Sequence, residues 1–315
     1  MHNQYGSVFI ILLPTQSKNL YNAGGIISIL LITITVSTFG VITHANSAQE
    51  FDPVKAKQEL VDKYKDNFML LSLEGSNQRA EIIDKEILEM TALGKNAQEL
   101  DEALAKYNVY RLIRPEVKTV VPMSQGSQVT LSSANIYYDS GANEWVVVGG
   151  GYWNDDMAWK NDAPLWVQAL CPASHNLGGE ETVGVSLHNT NGQYGTTSMV
   201  SAMGYYSDGQ GWSNYIQNAS NNNYEQGISF KYQDVITDPN PGDTDWSDWR
   251  YRGRHFSALA RYSASFTNYS GNANTFYGHT WSGGIATLTL GTSGVSITFS
   301  DSNKSWPAYD EDVPF

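Results

Sequence analysis

Residues 237–256, TDPNPGDTDWSDWRYRGRHF, hold four aspartates and an asparagine, then three arginines and a histidine, around two tryptophans. Asp238, Asn240, Asp243, Asp245 and Asp248 place hard oxygen donors at short spacing in a Gly/Pro turn, the ligand chemistry calcium prefers. The spacing is not that of an EF-hand, because no bidentate acid closes the loop. Turns also collect Asp, Asn, Pro and Gly to cap their own backbone, so a plain polar turn explains the same residues. Downstream, Trp246 and Trp249 lead into Arg250, Tyr251, Arg252 and Arg254. On a strand, Trp249 and Tyr251 fall on one face and the three arginines on the other. Such a stripe suits an anionic cell-envelope polymer, lipid head groups or a sulfated glycan. Cross-strand pairing with nearby aspartates is the competing explanation.

Other chemistry-bearing residues are scattered. His175, His188, His255 and His279 lack the local spacing of a zinc pair, although strands could bring His255 and His279 together. The single cysteine, Cys171, lies four residues from His175, but a nucleophilic thiol needs its base in contact, and a buried apolar thiol is the plainer reading. Asp155-Asp156 and Glu180-Glu181 would have to straddle a glycosidic bond to act as a carboxylate pair, and neighbours on one strand point apart. Aromatics beside Asn, Asp and Gly in 149–159, 205–215 and 221–224 resemble a sugar-binding inventory, while Trp and Tyr serve a β core equally well. Zinc-protease, serine-hydrolase and phosphate-loop motifs do not occur.

Charge and export signals narrow the setting. The chain of 315 residues carries a formal charge of -13. From Thr119 onward there are 7 cations against 18 acids, and four of those cations lie between Arg250 and Arg261. A broad nucleic-acid surface is disfavoured, because phosphate binding needs cations spread along a face. Lys18, an uncharged apolar run from Gly24 and small residues up to Ala48 follow the order of an export signal, with cleavage after Ala45 or Ala48. The run is also long enough to be a retained anchor. An exported chain with one cysteine has no internal disulfide and relies on core size, a combination associated with Gram-positive bacteria.

These residues need elements to position them. After residues 1–48, the signal or anchor, the periodicity in 49–110 is helical: Asp52-Pro53 starts one helix, a second runs from Asn77 to Leu93 with Gly94 as its stop, and Asn96 with Glu99 caps a third. Its lysines and glutamates are expected on solvated faces. The first stripe is Val54, Val61, Tyr64, Phe68 and Leu71. Residues 111–126 read as an extended linker around Pro115. From 127 to 315 the period becomes two. Hairpins are expected at 136–148 and between 182–187 and 196–206; the longest alternation is 256–266. The fold class is therefore mainly β, an antiparallel sandwich of jelly-roll or lectin-like kind, preceded by a short helical segment.

Function divides into three readings. One is a secreted, non-catalytic binding module for glycan or cell-envelope polymer, using the Arg stripe and loop aromatics. Another is a membrane-active β protein, in which Ser/Thr-alternating strands between Arg254 and Phe299 form an amphipathic hairpin. The third is an extracellular hydrolase using carboxylates.

Overall fold

The computed structural model describes residues 51–68, 73–114, 128–155, 167, 173–190, 201–207, 212–216, 223, 225–238, 240–241, 250–281, 285–300 and 305–315. All fall in one compact unit, Gln49–Phe315. The export segment and residues 115–126 therefore lie outside the described residues.

Three helices come first. In α1 (Pro53–Tyr64) the Asp52 side chain accepts from Lys55 N and Pro53 takes the first turn. In α2 (Leu73–Ala92), Ile83, Ile87 and Leu88 are fully buried, and Gly94 takes the left-handed conformation (φ 66) that ends the helix. In α3 (Ala97–Ala105), Asn96 and Glu99 form a reciprocal capping box, and Leu100 and Leu104 are buried. Two expectations fail here. Phe68 is 49% exposed, because the chain tightens into a 3-10 turn at Lys65–Asn67 and leaves the stripe. Lys57 is not on a solvated face: it is wholly buried in α1.

The strands follow: β1 (Val109–Arg111), β2 (Val129–Asp139), β3 (Glu144–Trp153), β4 (Ser174–His188), β5 (Ser201–Ser207), β6 (Trp212–Ile216), β7 (Gly227–Thr237), β8 (Arg250–Ser263), β9 (Asn272–Thr280), β10 (Ala286–Gly291), β11 (Gly294–Phe299), β12 (Ser305–Tyr309) and β13 (Val313–Pro314). All described pairings are antiparallel. The chain is thus mainly β with a helical segment ahead of it, as its periodicity indicates. The sandwich is not drawn as two sheets, however. One sheet runs β1-β2-β3-β8-β7-β4-β9-β12, with β5 and β6 attached at β8 and β13 at β9. It curls so that β9 touches β2 and β3. Where those walls meet, the Thr275 side chain occupies the space a side chain on Gly149 would need.

The 136–148 hairpin forms as expected, with Asp139 opposite Glu144. The hairpin expected between 182–187 and 196–206 does not: β4 is flanked by β7 and β9, while β5 pairs with β6 and β8. Arg111 pairs in β1 with Tyr137, so the segment expected as linker begins inside the sheet.

The concave face holds the main core, including Trp145, Trp153, Phe230, Phe256 and Tyr277. The convex face is covered in two places. Over β3 and β8, α2 and α3 bury Val146, Val148 and Leu259. This explains why β8 buries both faces from Phe256 to Tyr262: Phe256, Ala258 and Ala260 point to the main core, while Ser257 donates to Leu88 O (2.9 Å) and Leu259 meets the helices. Over β4, β9 and β12 lies the separate β10–β11 hairpin.

Candidate functional site

Of the calcium donors, Asp238 and Asn240 are described; Asp243, Asp245 and Asp248 are outside the described residues, as are Trp246 and Trp249. Asp238 is buried and its carboxylate accepts from Asn240 N (2.7 Å), so it caps its own turn. Among the described residues no three His, Cys, Asp or Glu side chains are grouped to hold a metal ion.

The arginine stripe is shorter than strand periodicity suggests. Arg250 and Arg252 are exposed and Tyr251 between them is buried. Tyr251 packs edge-on to Trp153 and donates to Asp234 Oδ2 (3.2 Å), so it belongs to the core. Both Tyr251 and Phe256 face that core although they are five residues apart, which requires the alternation to change phase between them. The change falls at Gly253, held at φ 109, where the β5–β8 register also shifts. Arg254 lies beyond it and is half-buried. Arg250 and Arg252 sit opposite Thr237 and Val235, so no carboxylate faces them across the ladder, and they form no ion pair among the described residues.

The histidines separate. His255 Nδ1 bonds Ala92 O (3.0 Å) under the end of α2 on the convex face. His279 is in the concave core, 4.9 Å from the Trp153 ring, so the two do not meet. Instead His279 faces Glu181 across the β4–β9 ladder, Nδ1 to Oε1 2.9 Å, with both side chains fully buried. Tyr232, Glu181, His279 and Trp306 make one row across β7, β4, β9 and β12. Burial first, then the Glu181 charge, pushes the Tyr277 phenol well above the ordinary range. Trp153 Nε1, Tyr277 hydroxyl and Glu181 Oε2 have no hydrogen-bond partner among the described residues. Nothing in sequence marks this pair; only register joins residues so far apart. Glu180 is exposed while Glu181 is buried, so the doublet points apart. Asp155 is exposed. Asp156 and Cys171 are outside the described residues, and burial lowers the His175 imidazole.

A second group has the residue types of a serine hydrolase. Ser186 Oγ lies 3.2 Å from His188 Nδ1, and His188 Nε2 lies 3.0 Å from Asp312 Oδ2. Ser186 donates its one hydrogen to Asn274 Oδ1 (2.9 Å), and Asn274 Nδ2 donates to Asp312 Oδ1 (3.0 Å). A nucleophilic serine must give that hydrogen to its base, and Ser186 is fully buried besides. The four side chains form a closed circuit that ties β4 and β9 to the C-terminal segment.

Charge is also buried under α2. Arg79 forks onto Asp139 (2.6 and 2.8 Å), and Arg261 reaches Asp84 (2.8 Å), Asp139 (3.0 Å) and Glu144 (3.0 Å). Burial alone would lower the Arg261 guanidinium, but the three carboxylates more than offset it and raise it. Three acids against two guanidiniums leave an excess negative charge, and burial raises Asp84 to about 6.

Aromatics expected in exposed loops divide as well. Trp153 is on β3 and 2% exposed, part of the core. Trp159 and Tyr224 are outside the described residues.

No protein-family model matches the sequence, and no curated protein matches it. Among solved structures it has a weak, distant likeness to Clostridium perfringens delta-toxin: 12% identity over 60% of this chain and 85% of that chain, at a TM-score of 0.16.

Proposed function

We propose that the chain is an exported, non-catalytic protein that binds a glycan or anionic cell-envelope polymer, with Arg250 and Arg252 as its cationic contacts. The observation that carries this reading is the exposure of two arginines, unpaired with any described carboxylate, on a domain otherwise net acidic. Trp246 and Trp249 precede them in sequence and would supply stacking surface. Retention on peptidoglycan and on an anionic glycan matrix tests it. Joint Arg250→Ala and Arg252→Ala substitution should abolish retention without lowering thermal stability, whereas unchanged retention would remove these residues from any binding site. Calcium at the 238–248 turn is part of the same proposal, and a thermal melt with and without chelator checks it, since an ion bound to the native state raises stability.

The β10–β11 hairpin favours a second reading, a membrane-active β protein. Of the residues from Arg254 to Phe299, β8 and β9 are interior strands, and the two strands of this hairpin are the ones with an apolar face and a hydroxyl face. Dye release from liposomes supports it, and its absence with both anionic and zwitterionic lipid rejects it.

A further inference from the structure

The hairpin β10–β11 is a two-stranded sheet of its own, outside the main sheet. Ala286 pairs with Phe299, Leu288 with Ile297 and Leu290 with Val295, which puts all six on one face. Thr287 with Thr298 and Thr289 with Ser296 make the opposite face, and all four are exposed. No charged residue interrupts 285–299. A ribbon that divides so cleanly matches a boundary between hydrocarbon and water.

Its attachment to the body is slight. The strands bond to each other and form no ladder with the main sheet. Asn189 N donates to Thr292 O (2.8 Å), Lys231 Nζ to Ala286 O (2.9 Å), and the Ile297 backbone bonds the Tyr309 phenol. Among the described residues the apolar face also rests on β4, β9 and β12, with Ile297 and Phe299 over Gly278.

The floor beneath is mixed, with one polar row. Lys231, Thr182, Gly278 and Pro307 form that row across β7, β4, β9 and β12, and the two residues flanking Thr182 both touch the hairpin; the next row on the same face is Ser229, Gly184, Phe276 and Tyr309, with Phe276 fully buried. Thr182 is fully buried and its Oγ1 has no hydrogen-bond partner among the described residues; Ser305 on β12 is 8% exposed and its Oγ likewise has none. A buried hydroxyl without a partner penalises the closed state and regains its hydrogen bonds once water reaches it. Lifting the hairpin therefore recovers hydration on the floor, while the apolar face needs a new place to go.

We infer that β10–β11 is a displaceable flap that leaves this floor and lays its apolar face in the interface of a lipid bilayer. The inference rests on the membrane-active reading and names its element. Strands of six residues reach about 20 Å at about 3.3 Å per residue, short of the ~30 Å hydrocarbon layer. The outer edges of a lone ribbon also carry unpaired backbone groups that hydrocarbon does not tolerate. The flap therefore lies along the surface, with Thr287, Thr289, Ser296 and Thr298 toward the head groups.

Gly278 is where to test it, because a Cβ there would sit 3.5 Å from Ile297 Cδ1, at ordinary contact distance. In the full chain with Cys171→Ser, the pair Gly278→Cys and Ile297→Cys would lock the flap when oxidised. The assay is flotation with vesicles of phosphatidylcholine and phosphatidylglycerol. The reduced protein should float and the oxidised protein should not. Separately, Thr182→Cys in the same background should react with a maleimide many times faster when vesicles are added. Equal flotation of both redox forms, or vesicle binding without faster labelling, overturns the flap and leaves the membrane-active reading standing. Failure of the unmodified chain to bind vesicles overturns both. Labelling that rises with protein concentration, without lipid, would overturn the flap by showing that its apolar face meets a second copy.

Discussion

Lys57 gives the sharpest quantitative prediction. Its ammonium is enclosed by Phe266 O (2.9 Å), Tyr269 O and the ring faces of Phe266 and Phe315, 4.5 and 5.1 Å from the ring centres. No carboxylate is among these contacts, and burial lowers its pKa from 10.5 to about 7. Above pH 7 the folded chain releases a proton that the unfolded chain keeps until 10.5, so the unfolded state binds more protons throughout this window. Stability must then rise with pH, by about 1.4 kcal/mol per unit, reaching full relief only above the unfolded value. Below pH 7 the destabilisation is fully present. From about pH 7.5 to about pH 9.5 the gain is roughly 2.5 kcal/mol. That corresponds to roughly 5 to 10 °C in Tm for a unit of this size. Lys57→Met keeps the unbranched stem and removes the titration. It leaves two carbonyls without their donor, a cost of about 1 to 3 kcal/mol each that does not depend on pH. Urea unfolding of both proteins across this range separates offset from slope, and tyrosines titrating in the same window cancel in the comparison. If the two stability profiles run parallel, the argument that Lys57 is buried without a compensating charge is wrong.

The remaining predictions follow from individual contacts. Arg261→Met should lower the unfolding free energy by about 3 to 5 kcal/mol, read from the urea midpoint, because Asp84 and Asp139 lose a shared buried partner. Asn96→Ala removes the acceptor for Gln98 N and Glu99 N and should cost about 1 kcal/mol by the same measurement. Leu259→Ala, between β8 and the helices, should cost about 2 to 5 kcal/mol and expose α2 to faster amide exchange.

What could be read from sequence was local. The Asn96–Glu99 box and the Asp139–Glu144 turn are short-range chemistry, and they occur where composition and spacing indicate. What could not be read was pairing. A strand's alternation says which residues share a face, but not which strand lies beside it, so turn composition predicts β5 beside β4 while the sheet places it on β8. The same limit hid Glu181 with His279, which meet one step beyond the Thr182–Gly278 pair of the β4–β9 ladder. Lys57 misleads differently: on its own helix it belongs to a polar face, and the Ala264–Asn268 turn closes over that face from a distant part of the chain. At Arg254 a single positive-φ glycine altered the alternation, which a count of every second residue does not detect.

The run Gly149-Gly150-Gly151 defines how tightly this sheet can bend. A methyl on Gly149 meets Thr275 of the opposite wall, one on Gly150 meets Phe256 O at 2.6 Å, and one on Gly151 meets Thr130 O. Three consecutive positions thus leave no room for alanine, each blocked by a different neighbour. A saturation library scored for soluble expression would therefore show an empty three-column block here. Because each obstruction belongs to a separate strand, no single second-site change would reopen the block. A lineage carrying this fold would keep its bend frozen while its surface drifted.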